Sequence, residues 1–187
     1  MVQAILGGRK TMTRRIVKFP KDFTGEAVYD NNPHGLKYTS NMGGETIQRL
    51  MCPKGEVGDR LWVRETWTKV SVPDGTTARK LLTLYKASMP AHGIDSYQVK
   101  WKPSIYMPRT ASRITIEITG IKVERLQVIS EEDAIREGVE KTEFGYKNYD
   151  KSYPVAEFMG GGFPATRSFM TLWESINGHG SWNSDPF

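Results

Sequence analysis

Twelve residues near the N-terminus, GGRKTMTRRIVK (7–18), combine Lys10 and Thr13 with Arg9, Arg14, Arg15 and Lys18, and no acid precedes Asp22. A lysine serves as a general base only when its surroundings favour the neutral amine, and crowded positive charge does so. A threonine hydroxyl beside such an amine is a nucleophile by the logic of serine–lysine pairs. A spacing of three puts the two side chains on one side of a helical turn but on opposite faces of a strand. Joint chemistry therefore needs irregular backbone here. Without it, the same stretch reads as solvated phosphate contacts or as simple surface charge.

Further along, Glu137 stands in the last turn of a helix that Gly138 ends, where the helix dipole disfavours negative charge. A carboxyl so placed suits a general acid; the plainer role is a surface glutamate paired with a neighbour. Glu65 shares its expected strand face with Leu61, Val63 and Trp67, so it calls for a cationic partner. On the other face, Trp62 with Arg60 and Arg64 would stack a base and hold phosphate. Phe144, Tyr146, Tyr149 and Tyr153 would form either a stacking platform or the packing of an inserted loop.

These residues need elements to position them. Val2, Ile5 and Leu6 recur at helical spacing before Gly7-Gly8, predicting a short amphipathic helix. Residues 20–57, rich in Gly, Asn and Pro, read as a long loop or insertion. GDRLWVRETW (58–67) and SRITIEITG (112–120) alternate as strands, with Ile114, Ile116 and Ile118 on one face of the second; a weaker strand is expected around 81–87. ISEEDAIREGV predicts a helix capped by Ser130 with acids in its first turn. Residues 141–165 read as a second insertion, and Phe169, Leu172, Trp173 and Ile176 as the buried face of a last helix. Strands followed by short helices, without βαβ alternation, predict an α+β domain built on a small mixed barrel with helical caps.

At 187 residues the chain fits a single domain, 1–187. It carries no apolar run long enough for a signal peptide or a membrane span, and a single cysteine, Cys52, which together predict a soluble cytoplasmic protein with no membrane partner. Its net charge of +5 favours an anionic partner. Arg9, Lys10, Arg14, Arg15, Lys18 and Lys21 make the first 21 residues wholly basic, whereas acids outnumber bases over 130–157. His34, His92 and His179 lie far apart in sequence, so no bound metal or cofactor is expected.

Several motifs taken together, AILGGRKTMTRR, GDRLWVRETW, WKPSIYMPR, SRITIEITGIKVERLQVISEEDAIREGV and LWESINGHGSW, resemble the ASCH-domain proteins, most closely their larger phage and prophage members. They span residue 4 to about 186. The resemblance implies a PUA-like β-barrel whose cleft accepts RNA or a nucleotide. Small bacterial members include metal-free amidohydrolases that deacetylate N4-acetylcytidine, with a lysine and threonine in R-K-T-x-T and a glutamate in S/T-E-x-x-A-x-x-E. Those positions fall on Lys10, Thr13 and Glu137. Arg14, Arg15, Trp62, Arg64 and Glu65 are then the substrate-binding candidates.

The alternatives within the family are a non-catalytic RNA-binding module and a metal-independent ribonuclease. The chain departs from the pattern in its two insertions, at about 20–57 and 141–165. The strands that the family usually places before the first helix and after the last motif are expected to be missing. Open barrel edges would then invite a homodimer.

Overall fold

The structure, a computed structural model, describes residues 1–18, 52–75, 78–89, 99–150, 152–153 and 163–186, together with the backbone of three strands between 23 and 50. The chain divides into two compact units. Residues 3–54 and 121–187 form the first with Met1, and residues 55–120 form the second with Val2.

In the first unit, α1 (Val2–Leu6) is a single turn and a half. Its buried residue is Ala4, while Leu6 of the expected apolar face is about half exposed. The segment expected to be a loop contains an antiparallel three-stranded sheet instead: β1 (Phe23–Val28), β2 (Leu36–Ser40) and β3 (Thr46–Leu50), in that order. Each strand is a short run holding β-branched or aromatic residues, and most of the Gly, Asn and Pro that argued for a loop lie between the runs.

The rest of this unit packs around α2 (Glu131–Arg136) and α3 (Ala165–Asn177). Ser130 caps α2 as expected: its Oγ accepts the Asp133 N–H at 3.1 Å. Leu126, Ile129, Ala134, Val139, Ala165, Phe169 and Trp173 form the core, with Tyr146, Tyr149, Leu172 and Trp182 against it. Ile176, expected on the buried face of α3, is 71% exposed. Earlier in α3, buried polar residues fasten the neighbouring chain. Thr171 Oγ1 accepts the Tyr149 N–H at 3.1 Å, and Ser168 Oγ donates to the Lys147 carbonyl at 2.6 Å. The hairpin of β8 (Lys141–Thr142) and β9 (Gly145–Tyr146) belongs to this fastened stretch.

α3 begins at Pro164, which offers no side-chain cap. Glu131 supplies one from a distance, its carboxylate accepting the Ala165 N–H at 2.8 Å, the Thr166 N–H at 3.1 Å and the Thr166 hydroxyl. Burial alone would push the Glu131 carboxyl up, but the Thr166 hydroxyl and the two amides outweigh it and hold the group below the ordinary carboxylate range. A depressed folded-state pKa contributes stability that is present above the unfolded value and lost as pH falls through the folded one. Glu131→Ala is therefore expected to cost about 1 kcal/mol at neutral pH. In urea titrations at several pH values, that difference should shrink toward zero once the wild-type carboxyl protonates.

In the second unit, β4 (Arg60–Trp62) pairs antiparallel with β7 (Thr115–Glu117), matching Leu61 with Ile116. A hairpin joins β5 (Trp67–Pro73) to β6 (Arg79–Tyr85), where the weaker strand was expected. Trp67, Met107 and Ala111 form its core, with Tyr85 against them. The two long strands expected here are each cut to three residues. Beyond Trp62 one more ladder bond forms, from the Val63 N–H to the Ile114 carbonyl at 2.9 Å. Then Ser112 Oγ donates to the Val63 carbonyl, and the Glu65 N–H turns to Met107 Sδ, so side chains take over the backbone groups that would extend the ladder.

The molecule is thus mixed α and β; among the described residues there are one three-stranded sheet and three two-stranded pairs, and these are not closed into a barrel. No described helix is long and apolar enough to cross a membrane.

Candidate functional site

The basic segment leaves α1 through Gly7 and Gly8 and continues without helix or strand from Arg9 to Lys18, the irregular backbone that chemistry at Lys10 and Thr13 would require. It docks across the C-terminal end of α2. The Lys10 N–H donates to the Ala4 carbonyl, while the Thr11 and Met12 N–H groups share the Arg136 carbonyl at 2.8 and 3.0 Å. A helix end leaves carbonyls without partners, and this segment supplies them.

Lys10 completes the arrangement. Its Nζ lies 2.8 Å from the Glu137 carbonyl and 2.6 Å from Glu137 Oε2. The ammonium therefore sits where the α2 dipole favours a cation, and it compensates the carboxylate that the same dipole disfavours. Both side chains are largely removed from water, Glu137 at 5% exposure and Lys10 at 12%. The second carboxylate oxygen, Glu137 Oε1, is buried with no hydrogen-bond partner among the described residues. Gly138 makes the close approach possible. Its φ is +88°, and a Cβ there would fall 2.8 Å from Lys10 Cβ, so only glycine lets the lysine lie across this turn.

Thr13 is exposed, and its hydroxyl bonds to no described residue. Lys10 and Glu137 are thus brought together, while Thr13 stands three residues on, open to solvent. Of the arginines expected to crowd Lys10, Arg14 is turned to other partners. Arg14, only 12% exposed, pairs with Glu124 and lies 3.6 Å from Asp133. Lys122 pairs with the same Glu124 and lies 3.5 Å from Asp133, which Arg136 also approaches at 3.5 Å. The bond to Glu124 raises the Lys122 pKa above its usual value, against the opposing effect of burial. Arg14 therefore anchors the basic segment to the body of this unit, leaving Arg9, Arg15 and Lys18 exposed. Glu124 and Asp133 were not singled out in the sequence, although the alternation of Lys122 and Glu124 in IKVERL places them on one face.

The remaining candidates lie in the second unit. Trp62 is flanked by two guanidinium groups, Arg64 at 4.7 Å and Arg109 at 6.0 Å from the ring centre. Arg64 Nη1 also donates to the Ile105 carbonyl at 3.3 Å. Glu65 has the arginine partner its position demanded: Arg113 grips both carboxylate oxygens, at 2.8 and 2.9 Å. Of the aromatics, Tyr146 and Tyr149 pack on the core, Phe144 is 75% exposed and Tyr153 donates to Glu174.

Compared with protein-family models, with curated proteins and with solved structures, the chain matches none of them.

Proposed function

We propose that the protein is an ASCH-type, PUA-like amidohydrolase that removes the acyl group from N4-acetylcytidine or a related modified nucleoside. The observation that supports this reading best is the buried Lys10–Glu137 contact, with one carboxylate oxygen left unbonded. An amide hydrolase needs a base for its nucleophile and an acid for the leaving nitrogen, and proton transfer across 2.6 Å turns an ammonium–carboxylate pair into both.

In this mechanism Thr13 Oγ1 attacks the amide carbonyl, and its proton passes to the Lys10 amine. The tetrahedral intermediate carries an oxyanion, which Arg15 and the adjoining cations stabilise. Collapse breaks the C–N bond, Glu137 protonates the departing exocyclic amine, and the acyl group remains on Thr13. The proton now on Lys10 passes to the Glu137 carboxylate across their contact, and the freed amine takes a proton from the attacking water. Collapse of the second tetrahedral intermediate releases acetic acid, while Thr13 Oγ1 takes that proton back from Lys10. Incubating the purified protein with N4-acetylcytidine and separating cytidine by chromatography tests the reading directly; absence of cytidine would remove it.

A second reading, a non-catalytic RNA-binding module, is favoured by Trp62, whose ring centre has the guanidinium groups of Arg64 and Arg109 at 4.7 and 6.0 Å. An indole ring with two cations beside it supplies an aromatic surface for one base and charge for the flanking phosphates. On this reading, Trp62→Ala should weaken single-stranded RNA binding by about tenfold, from the loss of one stacked base. Arg15→Ala should instead flatten the dependence of affinity on salt. Fluorescence anisotropy at a series of salt concentrations separates the two effects.

A further inference from the structure

Apart from the Lys10–Glu137 pair, the first unit gathers a second set of chemically capable side chains. Asp150, Glu174 and His179 each place one potential ligand atom within 4.8 Å of the others. We propose that these three residues bind a zinc ion.

Glu174 projects from α3, three residues before its end, and its side chain is 1% exposed. Its orientation is imposed by three donors: Oε1 accepts the Gly180 and Trp182 N–H groups at 3.1 and 3.3 Å, and Oε2 accepts the Tyr153 hydroxyl at 2.5 Å. Partners of this kind hold a ligating carboxylate in place before the metal arrives. Asp150 comes from the chain after β9. Its Oδ1 accepts the Ser152 N–H and hydroxyl, at 2.9 and 2.8 Å, which leaves Oδ2 toward the histidine. His179 follows the Gly178 that ends α3, and its ring lies 5.7 Å from that of Tyr153.

The spacing suits one small ion. His179 Nδ1 is 3.4 Å from Glu174 Oε2 and 3.8 Å from Asp150 Oδ2. Tetrahedral zinc with bonds of about 2.0–2.1 Å separates its ligand atoms by roughly 3.3–3.4 Å, so small side-chain adjustments close the site. Charge agrees as well. Two carboxylates and a neutral imidazole carry two negative charges, matched by one divalent cation. The imidazole favours zinc over magnesium or calcium, which prefer oxygen ligands throughout. Because His179 is 71% exposed, a fourth position can face water, giving three protein ligands and one exchangeable one.

Without a metal, the same geometry is a side-chain contact between the imidazole and two carboxylates. Isothermal titration of ZnCl2 into the chelator-treated full chain distinguishes the two. One ion per chain is expected, with affinity lowered at least tenfold by His179→Ala and by Asp150→Asn. His179 and Asp150 are accessible enough for both variants to fold, which circular dichroism checks. Failure of the wild-type protein to bind zinc, or binding unchanged in His179→Ala, overturns the proposal.

Discussion

On the proposed mechanism, Thr13→Ala and Lys10→Met are each expected to lower kcat/KM for N4-acetylcytidine by at least about 10³-fold, because each would remove a group that acts only as the amide is attacked. The two variants should part company in stability. Thr13 is exposed and bonded to no described residue, so Thr13→Ala should melt with the wild type. Lys10→Met keeps the length of the side chain but leaves the Glu137 carboxylate, 5% exposed, without its cation, and should melt lower. Glu137→Gln keeps the size and the hydrogen bond while removing the acid, and should also lose turnover. The proposed mechanism has lysine and glutamate act as one unit, so the Lys10→Met/Glu137→Gln double variant should be little worse than either single one. A folded Thr13→Ala protein that turns over within threefold of wild type would sink the nucleophile assignment, and with it the amidohydrolase mechanism.

What could be read from the residues follows from how local each determinant is. The α2 cap is four residues long, Ser130 to Asp133, and was legible without the fold. So was the need of Glu65 for an arginine, because strand alternation alone put a carboxylate on an apolar face. That alternation survives in burial even where the ladder breaks: Glu65 and Trp67 are buried, and Arg64 between Val63 and Glu65 is exposed.

Features that depend on distant partners were not legible. Nothing in SRITIEITG says that Ser112 will cap the Val63 carbonyl and shorten the strand, nor that Ile116 will stay 40% exposed. The sheet of β1, β2 and β3 was hidden because each strand is only five or six residues and the connecting composition dominated the window. Lys10 and Glu137 were each marked by their neighbours, and only the resemblance put them in one site; their meeting at 2.6 Å depends on the segment after α1 crossing the end of α2. The Asp150, Glu174 and His179 cluster was missed for a similar reason. Histidines were weighed against one another, whereas His179 meets carboxylates that precede it by 29 and 5 residues in the numbering.

The largest stability effect is expected at Arg113, in the second unit. Glu65 is 1% exposed, and both its oxygens are held by Arg113, whose guanidinium lies 4.1 Å from the centre of the Tyr85 ring. The bond to Glu65 raises the Arg113 pKa above its usual value, outweighing burial. Tyr85 is anchored in turn, its hydroxyl donating to the Ala111 carbonyl at 2.8 Å. Arg113→Met leaves a carboxylate in an almost closed site with nothing to balance it, a loss of about 3–5 kcal/mol. Glu65→Gln leaves the cation instead, and Arg113, 30% exposed, can turn toward water, so about 1–2 kcal/mol is expected. Removing both charges in Glu65→Met/Arg113→Met should recover much of the Arg113→Met loss, because no charge then remains buried alone. Urea unfolding of the four proteins measures each difference. A Glu65→Gln cost equal to or above that of Arg113→Met would show that the buried carboxylate is not what the arginine is there to balance.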